Sequence, residues 1–94
     1  MATPDYKLIN NEEDNRFEFK IDDAAAFINY VKKDGVYYLV HTEVPAELQG
    51  HGIAGILVDK TLKLLEDGGF KMMPFCPYIQ SYLKRHPEWE KLVA

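Results

Sequence analysis

An apolar stripe of helical period, set between two strand-like runs, constrains this chain most. Ala54, Leu57, Val58, Thr61, Leu62 and Leu65 recur at helical spacing, and Asp59, Lys60, Lys63 and Glu66 occupy the other side. This predicts an amphipathic helix over about residues 51–67, with one face to bury on a sheet. Gly68-Gly69 follows and offers the left-handed C-cap that glycine adopts at little cost. Residues 36–44, before the helix, are β-branched and aromatic on both faces, the pattern of a central strand covered on both sides. Residues 70–75, after it, read as another strand. A strand, a helix and a strand joined in this order place the two strands parallel, with a right-handed crossover.

Upstream, the pattern is of hairpins. Residues 6–9 read as a short first strand and the polar residues 10–15 as a turn. Phe17, Phe19 and Ile21 alternate with charged residues, the signature of a half-buried strand. Asp22-Asp23 turns the chain, residues 24–31 form a third strand, and Lys32-Lys33-Asp34-Gly35 closes the next hairpin. Downstream, Cys76-Pro77 opens a second helix, because proline suits the first helical position. His86-Pro87 ends that helix, and residues 88–93 add a last short turn. The class is therefore α+β: a mixed, mostly antiparallel sheet with one β-α-β crossover and two main helices.

With 94 residues the chain suits one domain, residues 1–94. Its single cysteine, Cys76, excludes an internal disulfide and fits a reducing compartment. The start, MATPDYK, lacks a secretory apolar stretch, and no run approaches the roughly 18 apolar residues of a membrane span. The expectation is an intracellular protein, cytoplasmic or nuclear, off the membrane. A net charge of −4 argues against binding nucleic acid through a basic surface. Lys32-Lys33 and Lys84-Arg85 are small basic clusters, and Glu12-Glu13-Asp14 reads as a solvated turn that could also attract a cation. No metal site is expected.

The first long helix lacks a side-chain cap. Four N–H groups at a helix start have no internal partner, and the peptide dipoles add about half a positive charge there. Ser, Thr, Asp or Asn normally fills the gap. Here Gln49-Gly50-His51-Gly52 stands in that place, after Val44-Pro45. Glycines let a large anion approach the backbone closely, so a ligand phosphate can serve as the cap. Water on those amides is the plainer alternative. The sequence has neither G-x-x-x-x-G-K-S/T nor G-x-G-x-x-G, so P-loop and dinucleotide motifs are excluded.

What remains is Gln49-x-x-Gly52-x-Ala54. It resembles the Gln/Arg-x-x-Gly-x-Gly/Ala signature of the GNAT superfamily of acetyl-CoA-dependent N-acetyltransferases. It sits in that family's place, after a strand end and at the start of a long helix. The resemblance covers residues 36–86. VPAELQGHGIAGILV followed by PFCPYIQSYLKRHPEW looks like the small single-domain branch with Cys-Pro-Tyr after the fifth strand.

The resemblance implies a GNAT-like fold with a reduced N-terminal part, since residues 10–15 replace the helices that usual members insert between the first strands. It implies acetyl-CoA as cosubstrate, with the coenzyme A pyrophosphate on the amides of Gln49, Gly50, His51, Gly52, Ile53 and Ala54. Backbone groups of Glu43 and Val44 would pair with the pantetheine arm, in a gap where the fourth and fifth strands splay apart. It implies direct acetyl transfer to an amine, which needs a base, an oxyanion donor and an acid for the departing thiolate. His41 and Glu43, two residues apart on one strand face, are the candidate bases. Tyr82 aligns with the tyrosine that often acts as the acid, though His86-Pro87 replaces the family's closing Gly-Phe. Tyr78 lies one turn earlier on the same helical face. Lys84 and Arg85 are placed to reach the 3′-phosphate, or simply to complement a helix C-terminus.

Cys76 replaces the asparagine more usual near this point. Three roles compete: transient acetyl acceptor, wall of the sulfur's pocket, or small buried hydrophobe. The acceptor is open: a protein lysine, a protein N-terminus, a polyamine or another small amine, with the acidic balance favouring a cation. A coenzyme A or acyl-CoA binding module with little catalysis, and an interaction domain without a cofactor, are the other function classes. Oligomeric state is not readable.

Overall fold

A computed structural model describes residues 6–94; the first five, which carry most of the reading of the chain start, lie outside it. Five strands form one sheet in sequential order: β1 (Ile9–Asn11), β2 (Arg16–Ile21), β3 (Ala24–Lys33), β4 (Val36–Glu43) and β5 (Lys71–Pro74). The first four pair antiparallel, and β4 pairs parallel with β5. Helix α1 (Ile53–Asp67) connects β4 to β5, and α2 (Pro77–Arg85) follows β5. Short 3-10 turns occupy Ala46–Leu48 and Pro87–Leu92. Fold class and topology are those read from the pattern.

Local chemistry explains the turns. Asp34 and Gly35, with φ of 53° and 78°, are both left-handed, as a two-residue hairpin loop matched to the strand twist requires. Helix α1 ends in a Schellman motif: Gly69 is left-handed at φ 76°, its N–H bonds Glu66, and the N–H of Phe70 bonds Leu65.

The core lies between the sheet and the two helices. Phe17, Phe19, Ile28, Leu39 and Met72 from the sheet meet Leu57, Val58, Leu62 and Leu65 of α1 and Ile79 of α2, all fully buried. At one end Phe17, Tyr30 and Tyr37 pack ring to ring, with centroids 4.8–5.4 Å apart.

Three expectations change. The first strand is Ile9–Asn11, not residues 6–9, so two asparagines expected in the turn are paired with β2. Leu8 packs on the core without ladder pairing, which is why its apolar character misled. The charged residues of β2 do not all face water: Glu18 is fully covered. Finally, β4 is not covered on both sides. No element among the described residues lies over the sheet face opposite the helices. Val31, Val40 and Phe75 stand 57%, 40% and 54% exposed there. The apolar residues on both faces of β4 reflect this bare surface rather than a second layer.

Candidate active site at the splayed strands

The β4–β5 ladder stops early. Its last pair is Leu39 with Pro74, and the Leu39 carbonyl then accepts both the Phe75 and Cys76 N–H groups, at 3.0 Å each. β4 continues to Glu43 while the other chain turns into α2. The residues beyond Leu39 thus pair with β3 on one edge and have no β5 partner on the other.

A β-bulge sits at this branch point. Tyr30 faces Leu39 and Asn29 faces His41, so Val40 is an extra residue on β4. One inserted residue moves every following side chain to the opposite face. Thr42 consequently turns inward, opposite buried Ile28, and His41 and Glu43 turn to the bare face. There His41 Nε2 lies 3.4 Å from Glu43 Oε1, with both side chains more than half exposed. Inside the splay the Cys76 thiol donates to Thr42 Oγ1 at 3.3 Å, and Cys76 is buried. Thr42 escaped the sequence reading, because the bulge that aims it leaves no mark in composition or periodicity.

Beside the splay the helix start is bare, as its sequence requires. Gly52, the residue before α1, is left-handed with φ 71° and makes no side-chain cap. The first helical bond runs from Ile56 N–H to the Gly52 carbonyl. The N–H groups of Ile53, Ala54 and Gly55 therefore have no acceptor among the described residues. Gly50 is also left-handed at φ 85°, and a Cβ at Gly50 or Gly52 would meet nothing within 4 Å. The Gln49 side chain donates to the Val44 carbonyl at 3.1 Å, tying the loop to the strand end.

These groups line a cavity of about 220 Å³ bounded by Val44, Leu48, Gln49, Gly50, Gly52, Ile53, Ala54, Gly55 and Tyr78. Free amides, two glycines open to solvent and an apolar wall suit a diphosphate joined to an extended chain. The Tyr78 hydroxyl lies 3.8 Å from where a Gly55 side chain would begin. His51, Lys84 and Arg85 stand outside the cavity, and Lys84 instead lines a groove with Pro74, Leu83 and Val93.

Tyr82 shares the helical face of Tyr78, as expected, but meets α1 one turn further on, outside the cavity. Its hydroxyl donates to Asp59 on α1 at 3.4 Å, and its ring stacks on His86 with centroids 4.2 Å apart. Burial pushes its pKa up to about 12, helped by the Asp59 carboxylate. The two tyrosines of α2 are thus split: Tyr78 faces the cavity and Tyr82 braces the helix pair.

Among the described residues no cluster of His, Cys, Asp or Glu is placed to hold a metal ion. No helix there is long and apolar enough to cross a membrane.

Comparison with known proteins bears on the fold and the family. The NMR structure of a GCN5-like protein from Staphylococcus aureus superimposes with a TM-score of 0.71 at 21% identity, over 95% of this chain and 88% of that one. At that identity the likeness speaks for the fold. A family model described as GCN5-related N-acetyl-transferase matches residues 16–92, most of the chain. The chain therefore belongs to the GCN5-related N-acetyltransferase family.

Proposed function

We propose that the protein transfers an acetyl group from acetyl-CoA directly to an amine. The observation that carries this reading is the bare start of α1. Three free N–H groups and two left-handed glycines open onto a cavity whose wall includes Val44, the residue that follows β4. A diphosphate on Gly50, Gly52, Ile53, Ala54 and Gly55 supplies the missing cap. The β4 edge through Glu43 holds the extended arm as a strand would. His51, Lys84 and Arg85 stand outside the cavity and take no part in holding the diphosphate in this reading.

Acetyl-CoA brings an acyl thioester; the protein orients it and moves protons. His41, steadied by Glu43, takes the proton of the attacking amine directly or through water. The new C–N bond forms as the C–S bond breaks. Tyr78, the cavity-facing tyrosine, donates a proton to the leaving sulfur. Thr42 and Cys76 form the inner wall of the splay. The thiol already donates to Thr42, which fits a lining role for Cys76 better than an acyl acceptor.

The test is thiol release from acetyl-CoA with a panel of amines. The expected result is amine-dependent release, with His41→Ala lowering kcat/KM by about 10²–10⁴-fold and Cys76→Ser retaining turnover. Tight coenzyme A binding without release for any amine would leave a binding module. Absence of binding at millimolar acetyl-CoA would dismiss both readings.

A further inference from the structure

The bare sheet face carries a fixed guanidinium that the reaction outlined above leaves unused. Arg16 on β2 donates from Nε to Glu18 Oε1 at 2.8 Å, and its guanidinium carbon lies 4.4 Å above the centre of the Phe27 ring. Glu18 is fully covered, though by neighbouring side chains on the sheet surface rather than by a second layer. Asn11 donates to the same Glu18 oxygen at 3.0 Å. Burial alone would raise the Glu18 pKa, but the hydrogen bonds from Asn11 and Arg16 and the charges of Arg16 and Lys20 hold it below the ordinary carboxylate value. Glu18 thus holds Arg16 and Asn11 through Oε1, while its buried Oε2 has only the Lys20 ammonium, at 3.8 Å.

What matters is how the clamp is used. An arginine that serves only to neutralise a carboxylate commonly engages it with two nitrogens in parallel. Here only Nε is engaged, and the two Nη nitrogens have no partner among the described residues. The guanidinium is fixed by the Phe27 ring beneath it and by Glu18 at Nε, and the side chain is a quarter exposed. Ordering the guanidinium in advance removes most of the entropy that an exposed arginine loses on binding. Arg16 and Lys20 flank Glu18, while Asp14, bridged to Glu18 through Asn11, and Glu43, across from Phe27, are the other carboxylates nearby.

Register connects this fork to the candidate base. Arg16 pairs across the sheet with Asn29, and Asn29 pairs with His41. Their backbones lie in one row, about 10 Å from Arg16 to His41 at two strand spacings, and the Arg16 guanidinium leans from that row over Phe27, whose β4 partner is Glu43. Half-buried Asn29 stands between Arg16 and His41 in the row.

We propose that Arg16 is a specificity residue for the acceptor. It receives a carboxylate carried by the substrate about two strand spacings from the amine that reacts at His41. The acceptor is then an amine bearing its own carboxylate, rather than the purely cationic amine that the overall charge suggests. This rests on the acetyl-transfer reading only for the chemistry at His41; the anion subsite itself does not.

The experiment uses the full chain saturated with coenzyme A or acetyl-CoA and a ladder of ω-amino carboxylates of graded length, each beside its uncharged amide. For the wild type, the carboxylate should have a KM about tenfold or more below that of its amide, with the advantage largest at the length that spans the row. In Arg16→Gln the ratio of kcat/KM between the two falls toward one. In Arg16→Lys, which keeps the charge and spares the Glu18 pairing, the ratio falls only in part. Independently of turnover, the Arg16 Nε–H resonance should shift on titration with the carboxylates and stay still with the amides. A resonance indifferent to the carboxylates, or a ratio unchanged in both variants, overturns the subsite. A resonance that shifts while no amine releases thiol leaves the subsite standing and sinks the transfer reading.

Discussion

At the residue scale, Tyr78 and Tyr82 differ by one helical turn and by opposite demands. Tyr82 sits in the α1–α2 seam with Asp59 as acceptor, and its pKa of about 12 keeps it neutral. An acid this weak, already committed to a carboxylate, is a poor proton donor to a departing thiolate. Tyr82→Phe is therefore expected to keep acetyl transfer within about threefold, whereas Tyr78→Phe lowers kcat by about 10–10²-fold. The pH dependence has a definite sign. Burial favours the neutral phenol, so the Tyr82 contribution to stability is complete below the ordinary tyrosine value of 10 and is lost as pH rises through about 12. Wild type and Tyr82→Phe should converge in urea stability across that window. An absorbance titration of the wild type's six tyrosines should show late ionisations of Tyr82 and of Tyr30, whose pKa burial also raises, and the variant should lose the first and keep the second.

At the scale of elements, two glycines at opposite ends of α1 separate folding from binding. Gly52 and Gly69 are both left-handed, at φ 71° and 76°, and neither has an atom within 4 Å of where a Cβ would stand. Alanine at either position strains the backbone by about 1–2 kcal/mol. Only at Gly52 does the methyl group point into the space offered to phosphates. Gly52→Ala and Gly69→Ala should lose similar urea stability, while calorimetry should show coenzyme A affinity falling about tenfold or more in Gly52→Ala alone. Equal affinities would show that the α1 start is not the phosphate site. Elements differ in how plainly the sequence announces them. Helix α1 was legible because its stripe, its missing cap and its Gly-Gly end are all local patterns. β1 was misplaced because a three-residue edge strand of Ile and Asn carries no alternation to read. The bulge at Val40 was invisible, since one extra residue changes no periodicity that eight residues can display. Yet that bulge decides that His41 and Glu43 face the bare side of the sheet and Thr42 the splay. The Arg16–Glu18 clamp was hidden for a related reason: an R-x-E alternation looks like solvated polarity until cross-strand Phe27 and Asn11 are seen to cover it.

At the scale of the whole molecule, one layer of helices rests on one face of a sheet, and the groups proposed to hold the cosubstrate come from β4, the Gln49–Gly52 loop, α1 and α2. Those elements meet through few bonds of their own: the Leu39 carbonyl with Phe75 and Cys76, Cys76 with Thr42, Gln49 with Val44, and Tyr82 with Asp59. A ligand that bridges them acts as a missing strand and a missing cap together, and so should stabilise the fold globally. At a hundredfold excess over its dissociation constant, coenzyme A adds about 2.7 kcal/mol. In a domain of this size each kcal/mol moves the midpoint by about 4–8 °C, so a rise of about 10–20 °C is expected. Pantetheine supplies the strand-like arm without the diphosphate, and at the same concentration it should move the midpoint by a small fraction of that. The contrast isolates the helix start: if pantetheine stabilised the protein as much as coenzyme A does, the free amides of residues 53–55 would hold water, and the cavity wall alone would explain binding.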